Sequence, residues 1–429
     1  MRFTDFSLYG KLARRLIPFL FILYLVAFID RVNVGFAKLQ MMSDLGLNEA
    51  DYGVGAGIFF LGYFLLEVPS NFMLHRVGAR LWIARIVLLW GFISMAMALV
   101  QSKSSFYLLR LLLGMGEAGF FPGIILYLTY WFPARHRART TALFMMALAV
   151  SGILGGPVSG WIMQSLDGRW DLRGWQWLFL LEGAPAVVLG CLCLLVLDDS
   201  PAQAAWLSSE EKRTIGRDLE LDRQRNAGQE LHHRFRNGIR DRRLWVLAVV
   251  YMLLSVGIYG VSFWLPQIIH DLGTGGFLVT GLLSAIPYSF AAVAMVWISH
   301  CSDVRQERRW HIALSALAGT AGLVISAGFL HSAIPALAGL TLATLGIFAA
   351  LAVFWSLPTA FLTGSAAAGG IALINSIAAL GGYLGPVVIG WVRQETGSVE
   401  SGLYVIAGAL VLAAFMVILG LQVPPRSSA

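Results

Sequence analysis

The stretch LIPFLFILYLVAFIDRVNVGF, Leu16 to Phe36, decides how this chain is read. As a helix rising 1.5 Å per residue it reaches across the ~30 Å apolar core of a bilayer. Yet it carries Asp30 and Arg31 deep inside the oily run. A charge at the centre of a bilayer costs about 2.5–3.5 kcal/mol on insertion scales. Two adjacent charges of opposite sign therefore need partners or water within the protein. The same demand recurs at Glu67, Arg110 and Glu117, all before residue 120.

Composition agrees. Of 429 residues 58% are hydrophobic and 13% charged, with a mean hydropathy of +0.72, whereas soluble domains carry about 25% charged residues. The lipid bilayer is thus the expected surrounding. A net charge of +7 points to no nucleic acid, because the Lys and Arg residues fall mainly in short loops and no basic patch has aromatic interleaving. Cys191, Cys193 and Cys301 lie in or beside apolar segments without metal-ligand spacing and read as reduced packing residues. No small-residue cleavage site closes Leu16–Phe36, so it is expected to stay as the first span.

Further apolar runs lie near 52–74, 81–100, 104–128, 140–163 and 176–197, then near 244–268, 277–299, 309–329, 334–358, 367–391 and 402–422. The expected fold is an all-α membrane protein of twelve spans in two six-helix bundles. Residues 1–197 form one half, 198–243 a linker and 244–429 the other half. The amino terminus and the turns holding Arg76, Arg80 and Arg85 and Arg135, Arg137 and Arg139 are basic, while residues 37–51 set Lys38 against Asp44, Glu49 and Asp51. The positive-inside rule then places both termini in the cytoplasm, and a bacterial inner membrane is the expected setting. The linker, with ten Lys/Arg and nine Asp/Glu and no apolar stripe, reads as solvated with one surface helix at most.

The halves repeat each other. The turn from His75 to Arg80 matches the turn from Asp303 to Arg308, and Gly156-Pro157 matches Gly385-Pro386. The offsets are 228 and 229 residues. Two similar halves related about the membrane normal are one known plan for a transporter.

At this point the residues resemble the major facilitator superfamily. Arg110-x-x-x-Gly114-x-Gly116-Glu117 and Gly152-Ile-Leu-Gly155-Gly156-Pro157-Val-Ser-Gly160 look like two of its motifs. The turn at 75–80 resembles its basic loop motif, with His75 in place of the usual acid and Asp303 retaining that acid in the second half. A finer resemblance, along nearly the whole chain, is to the anion:cation symporter branch and its tartrate-type and aromatic-acid-type permeases. It rests on Phe28-Ile-Asp30-Arg31-Val-Asn33-Val-Gly35-Phe36, on Gly62 to Asn71, on Gly119-Phe120-Phe121-Pro122-Gly123, and on Tyr130-Trp131-Phe132-Pro133 followed by Arg135.

Helix arithmetic places the charges in depth. Asp30 lies about 21 Å from the start of its span and Arg110 about 9 Å below the outer edge of the fourth, so Asp30, Arg31 and Arg110 share a level. Glu117 sits two turns after Arg110 on the same face, about 10 Å deeper. A guanidinium fork suits carboxylate recognition, and a buried carboxyl suits proton binding. The resemblance implies that Arg31 contacts a substrate carboxylate, that Asp30 and Glu117 carry protons, and that Arg110 pairs with Asp30 beside the substrate. It also tilts Tyr63 and Asn375 toward substrate binding. Gln267, Tyr251, Tyr259, Ser356 and Thr359 are lesser polar candidates, and Trp264 and Trp355 read as packing residues. Glu67, close to Pro69, reads as structural or gating, as do Arg76, Asp303 and Arg305 in the loop motifs. Glu182 reads as a local cap or pair and not as a proton site.

Together these observations predict a monomeric secondary transporter that imports an organic anion by alternating access. The anion would be a tartrate-like hydroxy acid, a sugar acid or an aromatic acid. Protons are the expected coupling ion and sodium the open alternative. Antiport or export remains the rival within transport. An enzyme is not expected, and neither is a cofactor or metal. The chain has no His-Glu-x-x-His pair, no Gly-x-Ser-x-Gly elbow and no His/Cys cluster at ligand spacing, and His232-His233 falls in the polar linker.

Overall fold

The computed structural model describes residues 8–230, 241–273, 275–358 and 364–420, excepting the side chains of residues 75, 138, 223, 225–230, 364–369 and 372. His232, His233, Thr359 and the His75 side chain therefore lie outside the described residues. Among the described residues twelve helical spans are long and apolar enough to cross a membrane: Leu8–Leu45, Glu49–Leu74, Ala79–Leu99, Lys103–Trp131, Ala134–Ser165 and Gly174–Val196, then Arg242–Asp271, Phe277–Arg305, Arg309–Gly328, Ala333–Phe354, Leu373–Thr396 and Val399–Gly420. The expected spans recur in order, most of them longer than their apolar cores. The first gains most, because helix continues through Lys11 and Arg14 at one end and through Lys38 to Leu45 at the other.

Local chemistry sets the ends. Gly46 takes a positive φ of 62° and stops the first span, as a left-handed C-terminal glycine does. Asn48 then caps the second span by accepting from Asp51 N at 2.7 Å, and Ser102 with Ser105 forms a reciprocal capping box on the fourth. That fourth span is broken. One helix ends at Glu117, Gly119 adopts φ +84°, and the next helix starts at Phe120. Glu117 thus stands at a helix end in mid-membrane, where irregular backbone is tolerated only beside protein or a cavity.

The two halves pack in matching ways. Span two lies on span four and span three on span six, while span eight lies on span ten and span nine on span twelve. Between the halves, span two crosses span eleven, span five crosses span eight, and spans one and seven meet. These crossings are backbone-close on the face opposite the termini. A Cβ on Gly53 would stand 2.6 Å from Pro386 O, and one on Gly281 would stand 2.2 Å from Gly156 O. Gly53 and Gly281 are themselves 228 residues apart, so one glycine joint has been used twice.

Charges fasten the same face. Lys38, its side chain fully buried, places Nζ 2.7 Å from Glu49 Oε2 and 3.5 Å from the centre of the Trp264 ring. Glu49 also meets Arg393 at 3.1 Å, and Arg393 meets Asp271 at 3.1 Å. Spans one, two, seven and eleven are tied by this chain. Tyr52 adds a bond across the halves by donating to Phe263 O at 3.0 Å.

The linker carries one surface helix, Ser209–Glu230, and the structure adds that it is fastened to the face of the termini. Glu211 pairs with Lys11 at 2.8 Å and Asp218 with Arg135 at 2.7 Å. Tyr9 donates to Asp218 at 2.9 Å, and Trp206 stacks on Trp131 at 5.8 Å with the rings 7° apart. The reason is spacing. Glu211, Asp218 and Asp222 recur on one helical face, opposite the basic starts of spans one and five. Hydrogen bonds from Lys11 and from Ser208 N hold the Glu211 carboxyl below its usual range.

Candidate functional site

A cavity of about 700 Å³, its mouth included, opens where both halves meet at mid-depth. Spans one, two, four and five wall one side with Tyr24, Phe28, Arg31, Tyr63 and Phe121 among others. Spans seven, ten and eleven wall the other with Tyr251, Tyr259, Trp355 and Asn375. Arg31 is the only Asp, Glu, Lys or Arg in this wall among the described residues. It donates through one terminal nitrogen to Tyr259 Oη at 3.1 Å and through the other to Glu117 Oε1. Its Nε finds no acceptor among the described residues. The guanidinium also lies 5.4 Å from the Phe59 ring and 5.5 Å from the Tyr63 ring. A cation among aromatic faces, held by one carboxylate and one phenol, can exchange that carboxylate for another.

The remaining expected residues divide. Tyr63 and Asn375 line the cavity. Asn375 also donates to Glu67 Oε1, and Ser376 donates to Glu67 Oε2 at 3.1 Å. Glu67, 1% exposed, thus joins span two to span eleven across the halves. Arg110 stands outside the cavity wall, fully buried, and the implied ion pair between Arg110 and Asp30 is not formed. Its Nε donates to Gly55 O at 3.2 Å and one terminal nitrogen to Ala56 O at 3.0 Å. The cause is close docking of span four on span two. Gly114 sits directly against Phe59 O, which turns the guanidinium toward the carbonyls of that neighbour. Asp30 instead accepts from Ser94 Oγ and from Asn33 Nδ2 at 3.2 Å.

In the loop motifs Arg76 lies over the Phe72 ring at 5.0 Å, and Asp303 pairs with Arg308 of its own turn at 2.5 Å. Arg305 is exposed. Gln267 donates to Asp271 at 2.5 Å, and Ser356 donates to the carbonyl of Val353, both away from the Arg31 network.

Sequence reasoning passed over three features. Trp355, read as packing, lines the cavity beside Tyr251. Lys38, counted only as loop charge, is a buried tie between the halves; its spacing of seven from Arg31 was the available signal, since it puts both on one helical face. Glu182 is no cap: it lies in the middle of span six, 5% exposed, and accepts from Ser159 Oγ at 2.7 Å.

Comparison with known proteins adds three findings. The family profile described as Major Facilitator Superfamily matches residues 20–386. Among curated relatives, a protein named "Putative tartrate transporter" from Agrobacterium vitis is 48% identical over 97% of this chain and 92% of its own length. One named "Quinolone resistance transporter" from Acinetobacter baumannii is 45% identical over 91% of this chain and 89% of its own. Among solved structures, a bacterial homologue of the human lysosomal transporter Spinster, inward-facing and occupied, superposes with a TM-score of 0.76 at 17% identity, covering 94% of this chain and 96% of that one.

Proposed function

The chain belongs to the Major Facilitator Superfamily, and from that premise we propose that it imports a small organic carboxylate together with protons. The observation that carries the reading is Arg31 in the wall of a central cavity, its fork divided between Glu117 and Tyr259. Protonation of Glu117 releases one terminal nitrogen of the guanidinium, and a substrate carboxylate takes its place there. Tyr63 and Asn375 position the rest of the substrate against the aromatic wall. Arg110 acts through span two, whose carbonyls it holds, and through the field it adds behind Phe59. Because Asn375 holds both substrate space and Glu67, filling the cavity disturbs the tie between spans two and eleven. The halves then rock about the site, opening it to one side at a time.

The basic turns and the docked linker helix share a face, which we assign to the cytoplasm of a bacterial inner membrane, with both termini on that side. The relative named for tartrate transport supports a carboxylate substrate. The test is uptake of tartrate into proteoliposomes under an imposed pH gradient. Wild type should accumulate tartrate in response to the gradient, and Glu117→Gln should lose that response while still exchanging tartrate. Uptake by Glu117→Gln that follows the gradient as wild type does would remove Glu117 from the coupling.

A second reading, export, is favoured by the relative named for quinolone resistance. Cells expressing the chain that tolerate quinolones better, and show no tartrate uptake, would establish it.

A further inference from the structure

One group in the wall of the central cavity has its hydrogen-bonding sense decided from outside that cavity. Asn375 lines the cavity, and its partner Glu67 on span two stands behind it, 1% exposed. Both carboxyl oxygens of Glu67 are met from span eleven: Oε1 accepts from Asn375 Nδ2, and Oε2 accepts from Ser376 Oγ at 3.1 Å. Two accepting oxygens are the behaviour of an ionised carboxylate, which has no proton to give. The bond from Asn375 is therefore charge-assisted, roughly twice as strong as a neutral one.

An amide has a nitrogen that only gives and an oxygen that only accepts. With the nitrogen committed to Glu67, turning the amide over would set oxygen against oxygen. The end left for a guest is thus Asn375 Oδ1. It meets no donor among the described residues and is not sealed in protein, so it opens on the cavity.

The neighbouring groups impose no such sense. Tyr24, Tyr63, Tyr251 and Ser255 carry hydroxyls that can rotate between giving and accepting. Arg31 only donates, and Tyr259, which accepts from it at 3.1 Å, turns its own hydroxyl hydrogen away from the guanidinium. The cavity therefore offers a cationic donor at Arg31 and a fixed acceptor at Asn375. The two ends are close. Arg31 lies 5.5 Å from the Tyr63 ring, and Glu67 follows Tyr63 by four residues, about 6 Å along one face of span two. One small molecule can reach both.

We propose that Glu67 is a positioning residue for substrate selection. It holds Asn375 with the amide oxygen toward the cavity, and so selects carboxylates that carry a hydroxyl over the same carboxylates without one. The carboxylate of the guest meets Arg31, and its hydroxyl donates to Asn375 Oδ1. An acid without the hydroxyl leaves that oxygen against apolar carbon, and the unmet acceptor lowers its affinity about 5- to 150-fold. The inference rests on the reading of Arg31 as the carboxylate anchor and names the class of acid that the anchor serves.

The test compares matched pairs by equilibrium binding to the purified full-length protein: tartrate with succinate, gluconate with hexanoate, and 4-hydroxybenzoate with benzoate. Each pair shares its carbon skeleton and carboxylates and differs in hydroxyls. In wild type the hydroxylated member of the tightest-binding pair should be favoured about 5- to 150-fold. Glu67→Gln sets an amide against Asn375, which either end of Asn375 can meet, and the preference should fall about threefold or more. Ser376→Ala also weakens the tie between spans two and eleven but leaves Asn375 donating to Glu67, so the preference should survive a drop in both affinities. Asn375→Leu should lose the preference, and adding Glu67→Gln should then change it no further. An unchanged preference in Glu67→Gln, or an equal loss in Ser376→Ala, overturns the positioning role. Equal binding within every pair by wild type overturns the selection and leaves the carboxylate anchor standing. Wild type that binds no acid of any pair overturns the anchor and the inference together.

Discussion

Replacing Gly53 by alanine should open the face opposite the termini. The new Cβ would stand 2.6 Å from Pro386 O and 3.1 Å from Gly390 Cα. Ordinary contact requires the two spans to separate by about 0.5–1 Å. Both obstacles are backbone, so no side chain can swing away, and overpacking of this kind costs about 1–3 kcal/mol. The cost falls only on the arrangement in which spans two and eleven are in contact at this level. It therefore moves the equilibrium between the two openings by about 5- to 150-fold. The readout should lie away from the change. Ser284 on span eight is 2% exposed, lines a smaller cavity between spans one, five, seven and eight, and belongs to the other glycine joint. In a protein with Cys191, Cys193 and Cys301 replaced by serine, Ser284→Cys is labelled with a membrane-impermeant maleimide from the face opposite the termini. Gly53→Ala should raise the labelling rate by the same 5- to 150-fold. Gly408→Ala is the control, since nothing lies within 4 Å of a Cβ there. Equal labelling in Gly53→Ala and Gly408→Ala would refute the glycine joint as a state-specific closure.

The charged tie on that face predicts a smaller shift of the same sign. Arg393→Ala removes its pairs to Glu49 and Asp271 and should raise Ser284→Cys labelling by roughly three- to tenfold, with less effect at high salt. Arg31→Lys keeps the charge but cannot hold Glu117 and Tyr259 as a fork. Tartrate affinity, read by thermal shift or uptake, should fall about 10- to 100-fold, and an unchanged affinity would take Arg31 out of substrate recognition. The linker helix carries a pH prediction. The Glu211 carboxyl is held below its unfolded-state value by Lys11. Its contribution is complete above the ordinary Glu range, near pH ~4.3, and is lost as the pH falls through the lowered folded-state value. Hydrogen exchange along Ser209–Glu230 should accelerate only in acid, and Lys11→Met should produce that acceleration already at neutral pH.

The span count and the internal repeat were legible because both rest on features the sequence states outright. Apolar runs of about 20 residues have few alternatives, and Gly156-Pro157 returning as Gly385-Pro386 marks the duplication. Arg31, Glu117, Tyr63 and Asn375 were legible as polar groups in oily surroundings, and the structure brings all four to one region. Their pairing was not legible. Helix arithmetic gives depth along each span, but rotation about the axis comes from contacts such as Gly114 against Phe59, which single sequences do not display. Hence Arg110 was joined to Asp30 when it meets Gly55 and Ala56. Lys38 was obscured for a related reason. A lysine near a predicted loop reads as solvated, and only the longer first span reveals that it is enclosed by Trp264 and Tyr52.

The bond from Arg31 to Tyr259 joins residues 228 positions apart, the interval at which the chain repeats itself. Each is therefore the other's counterpart, and they touch where the two halves face each other. An assembly of two identical halves would place like beside like at that point. Two guanidiniums about 4 Å apart would repel by roughly 4 kcal/mol at an effective dielectric of 20, and two phenols would give no anchor for an anion. Covalent fusion of the halves lifts that restriction, since each copy can then diverge alone. The charge at the centre of this protein is thus one that a symmetric ancestor could not have held, and its acquisition is expected to postdate the duplication.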